Sequence, residues 1–305
     1  MTKRIALAPI LIVLCAAAGF GQDAAQGGFS RTLTVSGAAE LDVSTGSGEI
    51  IIRQGASDRV EVTGRIRVHT NGRSLAEAQA LLRRLEENPP VEQTGAMIRI
   101  GNIADRELQR NVSISYEIQT PAQTTVRSRT GSGDQIISGV GPVEANTGSG
   151  DLDLNSIRGA VRVQTGSGDI RVMSMDGTFH GRTGSGSVAV ASSAVSDAEI
   201  STGSGDVRIT GVKGSLRART GSGGITADGE PGGAWDLQTG SGDVSVRLPQ
   251  TARFDLNVHT GSGRLDVNHP LTLRGSIDRR RISGQVRGGG PLLAMRTGSG
   301  DIRID

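Results

Sequence analysis

The sequence predicts an all-β fold: a parallel β-solenoid of roughly 18-residue coils with two short strands per coil. Three observations predict it. The string Thr-Gly-Ser-Gly occurs ten times, at Thr45, Thr130, Thr147, Thr165, Thr183, Thr202, Thr220, Thr239, Thr260 and Thr297. From Thr130 to Thr260 its spacings are 17, 18, 18, 19, 18, 19 and 21, and a fixed short period marks a solenoid, whose units bury their apolar faces on one another. Apolar residues two apart follow each turn, as in Leu152/Leu154, Ile170/Val172, Val188/Val190, Val207/Ile209 and Val244/Val246. That is strand periodicity, in runs too short for helices. The final gap, 37 residues, is two periods, so the spacing implies one coil that has lost its signature.

Residues 1–22 read as a signal peptide: Lys3-Arg4, an apolar run from Ile5 to Ala18, then small residues for cleavage. The run is short for a transmembrane span, and the rest of the chain has no comparable stretch. Export to the periplasm, cell surface or medium is therefore expected. Cys15, the only cysteine, follows Leu14 where a lipoprotein signal has a small residue, so lipid anchoring there is not expected. The mature chain would then hold no disulfide and no thiolate site.

Residues 23–125 form an N-terminal β-rich region, with strands expected at Leu33/Val35, Leu41/Val43, Ile50/Ile52, Val60/Val62 and Ile66/Val68. Within it, Ser74 and Glu77 form a capping box, Leu75, Ala78, Leu82 and Leu85 share one face, and Pro89-Pro90 stops the run. A helix over about 75–86 follows, expected to cap one end of the solenoid. Asp105 to Arg110 reads as a charged loop between further strands.

Residues 126–305 carry the regular repeats. In the specimen TGSGDLDLNSIRGAVRVQ, Asn155 to Gly159 makes a second turn and Val161/Val163 lead into Thr165. Strand parity puts the apolar residues and the threonine inward, giving an internal threonine ladder. The turns Thr130-Gly131-Gly133, Thr147-Gly148-Gly150, Thr165-Gly166-Gly168 and Thr202-Gly203-Gly205 are structural, their glycines supplying positive φ or room for a tight corner. The scarcity of aromatics fits a thin interior. Asp228 to Gly233 enlarges one second turn, and His269 to Met295 breaks the repeat. Because the chain ends in a strand, the last coil should offer an open edge or be covered by the irregular segment before it.

At this point the chain resembles a bacterial "putative-adhesin" family of secreted β-solenoid proteins of uncharacterised function. The resemblance rests on the repeated TGSGD-[ILV]-x-[VLI], the weaker G-x-V-x-[VA], and the runs FSRTLTVSG, LDVSTGSG, NVSISYEI and SRTGSGD. It covers essentially the whole mature chain and implies the solenoid fold, with no catalytic residues to carry over. Gly224 and Arg264 depart from the aspartate column, and one signature is missing between Thr260 and Thr297.

The one candidate for site chemistry is the outward column Asp134, Asp151, Asp169, Asp206, Asp243 and Asp301. Stacked carboxylates attract Ca²⁺, but Arg171, Arg208 and Arg303 stand two residues on, and Arg129, Arg182, Arg219 and Arg296 just before the threonines, to neutralise them. The calcium-roll nonapeptide puts Asp and its apolar residue two apart; here, as in Asp169-Ile170, they are adjacent, so that geometry does not transfer. His69, His180, His259 and His269 are scattered, and TGSG is neither a nucleophile elbow nor a phosphate loop. No cofactor or metal and no enzymatic activity is expected. A near-neutral mature chain with few, dispersed aromatics argues against nucleic acid. The expected function is adhesin-like binding of a surface polymer or an envelope protein. Two alternatives stand beside it: a polysaccharide-active enzyme with its site in the Asp228 or His269 irregularities, and an ice-, mineral- or Ca²⁺-binding repeat protein. The former alternative needs a local cluster, the latter a flat exposed threonine or aspartate array.

Overall fold

A computed structural model describes residues 24–70, 74–103, 111–191, 193–273 and 279–305. The expected signal segment 1–22 with Cys15, the charged loop 105–110 and Asp278 lie outside the described residues. The described chain is all-β apart from one helix, Leu75–Glu87, and forms a β-solenoid-like repeat.

Two ladders of strands carry the repeat. In the first, strands ending in Thr-Gly-Ser stack in parallel, with Val126, Val143, Val161, Phe179, Ala198, Leu216 and Trp235 at one level. In the second, the strands after the turn stack likewise, with Gln135, Leu152, Ile170, Val188, Val207, Ile225 and Val244 at one level. The alternation of apolar and polar residues sends one set inward. Val161, Val163, Ile170 and Val172 are each at most 1% exposed. Burying such a side chain is worth about 1.5–3 kcal/mol, and no coil could do so without neighbours. Ile157, Met175, Val195 and Val212 close the core at a third corner.

Rings do enter this interior, contrary to the expectation from composition. Tyr116, Phe179, Trp235 and Phe254 are fully buried. Glycine two residues on makes room for one of them: a Cβ at Gly181 would lie 2.7 Å from Phe179. Gly64 does the same for Phe29, which meets Tyr116 edge-on. The Tyr116 hydroxyl is buried without a hydrogen-bond partner among the described residues, and burial pushes its pKa well above the ordinary tyrosine value.

The two ends depart from sequence order. Leu292–Ser299 does not follow Phe254–Ser262 in space; it lies between that strand and Trp235–Ser241. Ile302–Ile304 likewise lies between Val244–Arg247 and Leu265–Val267. The gap of 37 residues is therefore no lost coil. It is an excursion in which Arg281–Val286 covers Phe254–Ser262 antiparallel, with Leu271–Leu273 antiparallel beside it. The final strand is neither an open edge nor a covered one, because it sits inside the stack. The other end repeats the device. The coil 40–54 is held between the strands Met97–Ile100 and Val112–Thr120 on one side and the 125–138 coil on the other. The Thr45 turn thus belongs to the same ladder as the later ones.

Arg59–His69 covers Val112–Thr120 antiparallel and carries Ala24–Thr34 outside it. The helix packs on these two outer strands, burying Ala78, Leu82 and Leu85. Its capping box is formed as the sequence predicts: the Glu77 N–H donates to Ser74 Oγ, and the Ser74 N–H to Glu77 Oε2.

Candidate functional site

The repeated turn is the element that sets every exposed face. Its second glycine has φ between +135° and +153°, for instance at Gly205 and Gly263. A Cβ at Gly168 would lie 2.1 Å from the Gly150 carbonyl oxygen. The first glycine is needed for approach alone: a Cβ at Gly166 would meet Gly148 O at 2.5 Å. From Thr130 onward each threonine points inward and donates its hydroxyl to the second-glycine carbonyl of the neighbouring coil, whereas half-buried Thr45 donates to the Ile114 carbonyl at 2.9 Å. Thr147 reaches Gly133 at 3.1 Å, Thr165 reaches Gly150 at 3.0 Å, Thr202 reaches Gly186 at 2.9 Å and Thr297 reaches Gly242 at 2.9 Å. Thr130 donates to Gly48 at 3.2 Å, linking the N-terminal coil. Thr165 and Thr183 are 2% and 6% exposed, so an ice- or mineral-binding threonine array is excluded.

The aspartates face outward and perform a second, unforeseen task. Asp134 Oδ1 accepts the N–H of Asp151 at 2.9 Å, and Asp151 Oδ1 that of Asp169 at 2.8 Å. Asp206 accepts from Gly224, Asp243 from Asp301, and Asp301 from Arg264. Each carboxylate thus satisfies a backbone donor one coil along. This hydrogen bond holds the Asp151 carboxyl below the usual carboxylate range, with Arg171 adding to the effect. The departures become intelligible. Ser187 substitutes its hydroxyl, accepting from Asp206 N at 3.3 Å. Gly224 leaves a rung without an acceptor side chain. Arg264 stands on the outermost coil, where no further coil needs one.

At Asp151, Asp169 and Asp206 the second carboxylate oxygen meets an arginine, as the spacing implied for two of the three arginines. Arg171 bridges Asp169 at 2.6 Å and Asp151 at 2.9 Å, and Arg208 pairs with Asp206 at 3.0 Å. Arg303 instead pairs with Asp305 at 3.0 Å and reaches Asp266 at 4.0 Å. The arginines before the threonines do not serve the aspartate column. Arg129 reaches Asp42 at 3.5 Å, Arg182 reaches Glu199 at 3.7 Å and Arg219 reaches Asp236 at 3.3 Å. They lie on the outer face of the threonine-ladder strands, where parity separates them from the residues after the turn.

The two irregular stretches line hollows. The enlarged turn at Asp228 and Glu230, with Lys213 and Arg247, borders one of about 390 Å³. A larger one, about 800 Å³, lies at the far end against Leu265–Val267, with Asp243, Asp266, Asp301, Arg264, Arg279 and Arg303 on its walls. The histidines are not brought together: His180 faces Glu199 at 3.6 Å, and buried His269 packs edge-on against Phe254. Among the described residues, no three His, Cys, Asp or Glu side chains are grouped to hold a metal ion. Among them, too, no helix is long and apolar enough to cross a membrane.

No curated protein matches the chain in sequence. Among solved structures it is similar to a putative adhesin of Bacteroides fragilis, at 11% identity over 92% of this chain and 97% of that one, with a TM-score of 0.40. It is similar to a putative adhesin of Parabacteroides distasonis, at 11% identity over 92% and 97% of the two chains, TM-score 0.38. A putative cell adhesion protein of Clostridium sporogenes aligns at 12% identity over 92% and 99%, TM-score 0.23. The family model Toastrack DUF4097 matches residues 111–305, more than half of the chain, and the chain therefore belongs to that family.

Proposed function

We propose that this chain is an exported, non-enzymatic protein of the cell envelope or its surroundings that binds a surface polymer or a partner protein along an extended face. One observation carries the reading. The repeated side chains with chemistry to offer are bonded into the rod itself: threonine hydroxyls to glycine carbonyls, aspartate oxygens to backbone N–H groups and arginines. What is left to solvent is a set of long, gradually varying faces. The test is binding of the purified protein to isolated envelope fractions and a glycan array, with and without Ca²⁺. Saturable, Ca²⁺-independent binding is expected. Conversion of any bound glycan into product would overturn the non-enzymatic reading, and Ca²⁺-dependent binding would return the aspartate column to the role of a cation site.

A polysaccharide-active enzyme is the second reading, favoured by the hollow against Leu265–Val267 with its three carboxylates and three guanidiniums. Asp301 there is already engaged by the Arg264 N–H, while Asp266 is the freer acid. A cleavage activity abolished by Asp266→Asn would establish it.

A further inference from the structure

The residue just before each turn threonine contributes nothing to the core, yet its row is ordered. Along successive strands lie Arg182, Ser201, Arg219, Gln238, Arg296 and His259. Arg281 of the antiparallel cover stands opposite His259 and extends the row by one strand. From Arg182 to Arg281 arginine therefore recurs on every second strand, at intervals of about 9.6 Å; the strands before it, with Arg129, Asn146 and Gln164, do not share the alternation. The residues between are uncharged hydrogen-bonding groups, and no carboxylate lies in the row.

We propose that this row is the track for a linear acidic polysaccharide, one carrying carboxylates or sulfates at about the spacing of two strands. The inference rests on the polymer-binding reading above and names its face and ligand. Arg182 and Arg219 keep exposed partners at 3.7 and 3.3 Å in the neighbouring row, each using one of five guanidinium donors. Arg296 and Arg281 have no carboxylate partner among the described residues, so a ligand anion would supply one. His259 lies between them. Its Nδ1 is 3.1 Å from the Arg280 carbonyl, which can only accept, so Nδ1 donates there and Nε2 is left to face a ligand hydroxyl.

Charge density selects the class of partner. Duplex DNA presents a charge about every 1.7 Å of its axis, far denser than one arginine per two strands. Among the described residues the large aromatic rings are buried and offer no stacking platform for single strands. The row itself holds no apolar side chain to enter a bilayer. A hydroxyl-rich chain with sparse, regular anions matches both the arginines and the amide, hydroxyl and imidazole groups between them.

The experiment uses the purified protein with hyaluronate, which carries one carboxylate per disaccharide, its methyl-esterified form, and phosphatidylglycerol vesicles as probes. Binding to the acid form that weakens with added salt is expected, with little to the ester or the vesicles. Replacing Arg182, Arg219, Arg281 and Arg296 together by Gln should weaken binding about tenfold or more, from four exposed charge contacts. The same number of changes elsewhere, R67Q/R83Q/R84Q/R99Q, should leave it within about twofold. All eight positions are exposed, and thermal melting checks that both variants stay folded. Equal loss in both variants, equal binding to the ester, or preference for vesicles would overturn the track. If envelope fractions still bind the row variant undiminished, only the track fails. If the unmodified protein binds no envelope fraction, the broader reading fails with it.

Discussion

The two sides of each turn join neighbouring coils by the same kind of bond in opposite environments. On the threonine side the hydroxyls are 0–6% exposed from Thr130 onward. On the aspartate side the carboxylates remain open, 40% at Asp151 and 50% at Asp301. The difference shows in the repeats themselves. The inward position is Thr in all ten turns, whereas the outward one accepts Glu49, Ser187, Gly224 and Arg264. Water can replace a lost acceptor at the surface; nothing replaces a lost donor inside.

Four measurements would break or sharpen this comparison. The largest effect belongs to the turn that both sides share. Gly168→Ala combines φ of +146° with a Cβ 2.1 Å from a carbonyl, and should cost on the order of 3 kcal/mol or more by chemical denaturation. Gly37→Ala, at φ +109° but with nothing within 4 Å, should cost about 1 kcal/mol. Equal losses at the two sites would mean that contact between coils matters less than backbone conformation.

Thr165→Val comes next. It keeps the shape but removes the donor to Gly150, and about 1–3 kcal/mol should be lost. A change near zero would make the threonine ladder a packing feature only.

Acid should act on the other side. The Asp151 pKa is depressed in the folded chain, so its contribution is complete above the ordinary carboxylate range, near pH 4, and disappears as pH falls through the depressed value. Asp151→Asn should lower stability at pH 7, where the charge contributes fully, and flatten the profile below about pH 4, where variant and wild type converge. An unaltered acid limb would show that Asp151 does not couple to folding.

The smallest effect is a gain. Gly224→Asp restores the missing acceptor for the Asp243 N–H, and its Cβ meets nothing closer than 3.4 Å. Melting should show about 0.5–1 kcal/mol of added stability. A loss would mean that the ladder is not extended by side-chain type alone.

Much of this was legible in the sequence because the repeat is local and strand parity is simple. The turns, the inward Val and Ile pairs, the inward threonines and the Ser74 cap all follow from residues within one coil or one helical turn. The aspartate's bond to the next coil's N–H was not legible, since parity gives a direction and not a partner. Phe179 and Trp235 entered the core because rings need only locally small neighbours, a condition that composition does not report. The arginines before the threonines were visible but misassigned, because adjacency across a turn was taken for adjacency in space. The place of Thr297 between Thr239 and Thr260 has no local signal at all; spacing alone reads as a missing coil.

That displaced strand bears on how the chain is made. The coil of residues 254–267 leaves the ribosome before residues 292–304, which form its inner neighbour. This end of the stack therefore closes only once residues 292–304 are in place, while the coils before it can stack in sequence order. A chain cut short before Leu292 would display two bare edges, Trp235–Ser241 and Phe254–Ser262, with nothing between them. Bare strand edges invite pairing with other chains, so the segment that fills this slot also removes a site of aggregation.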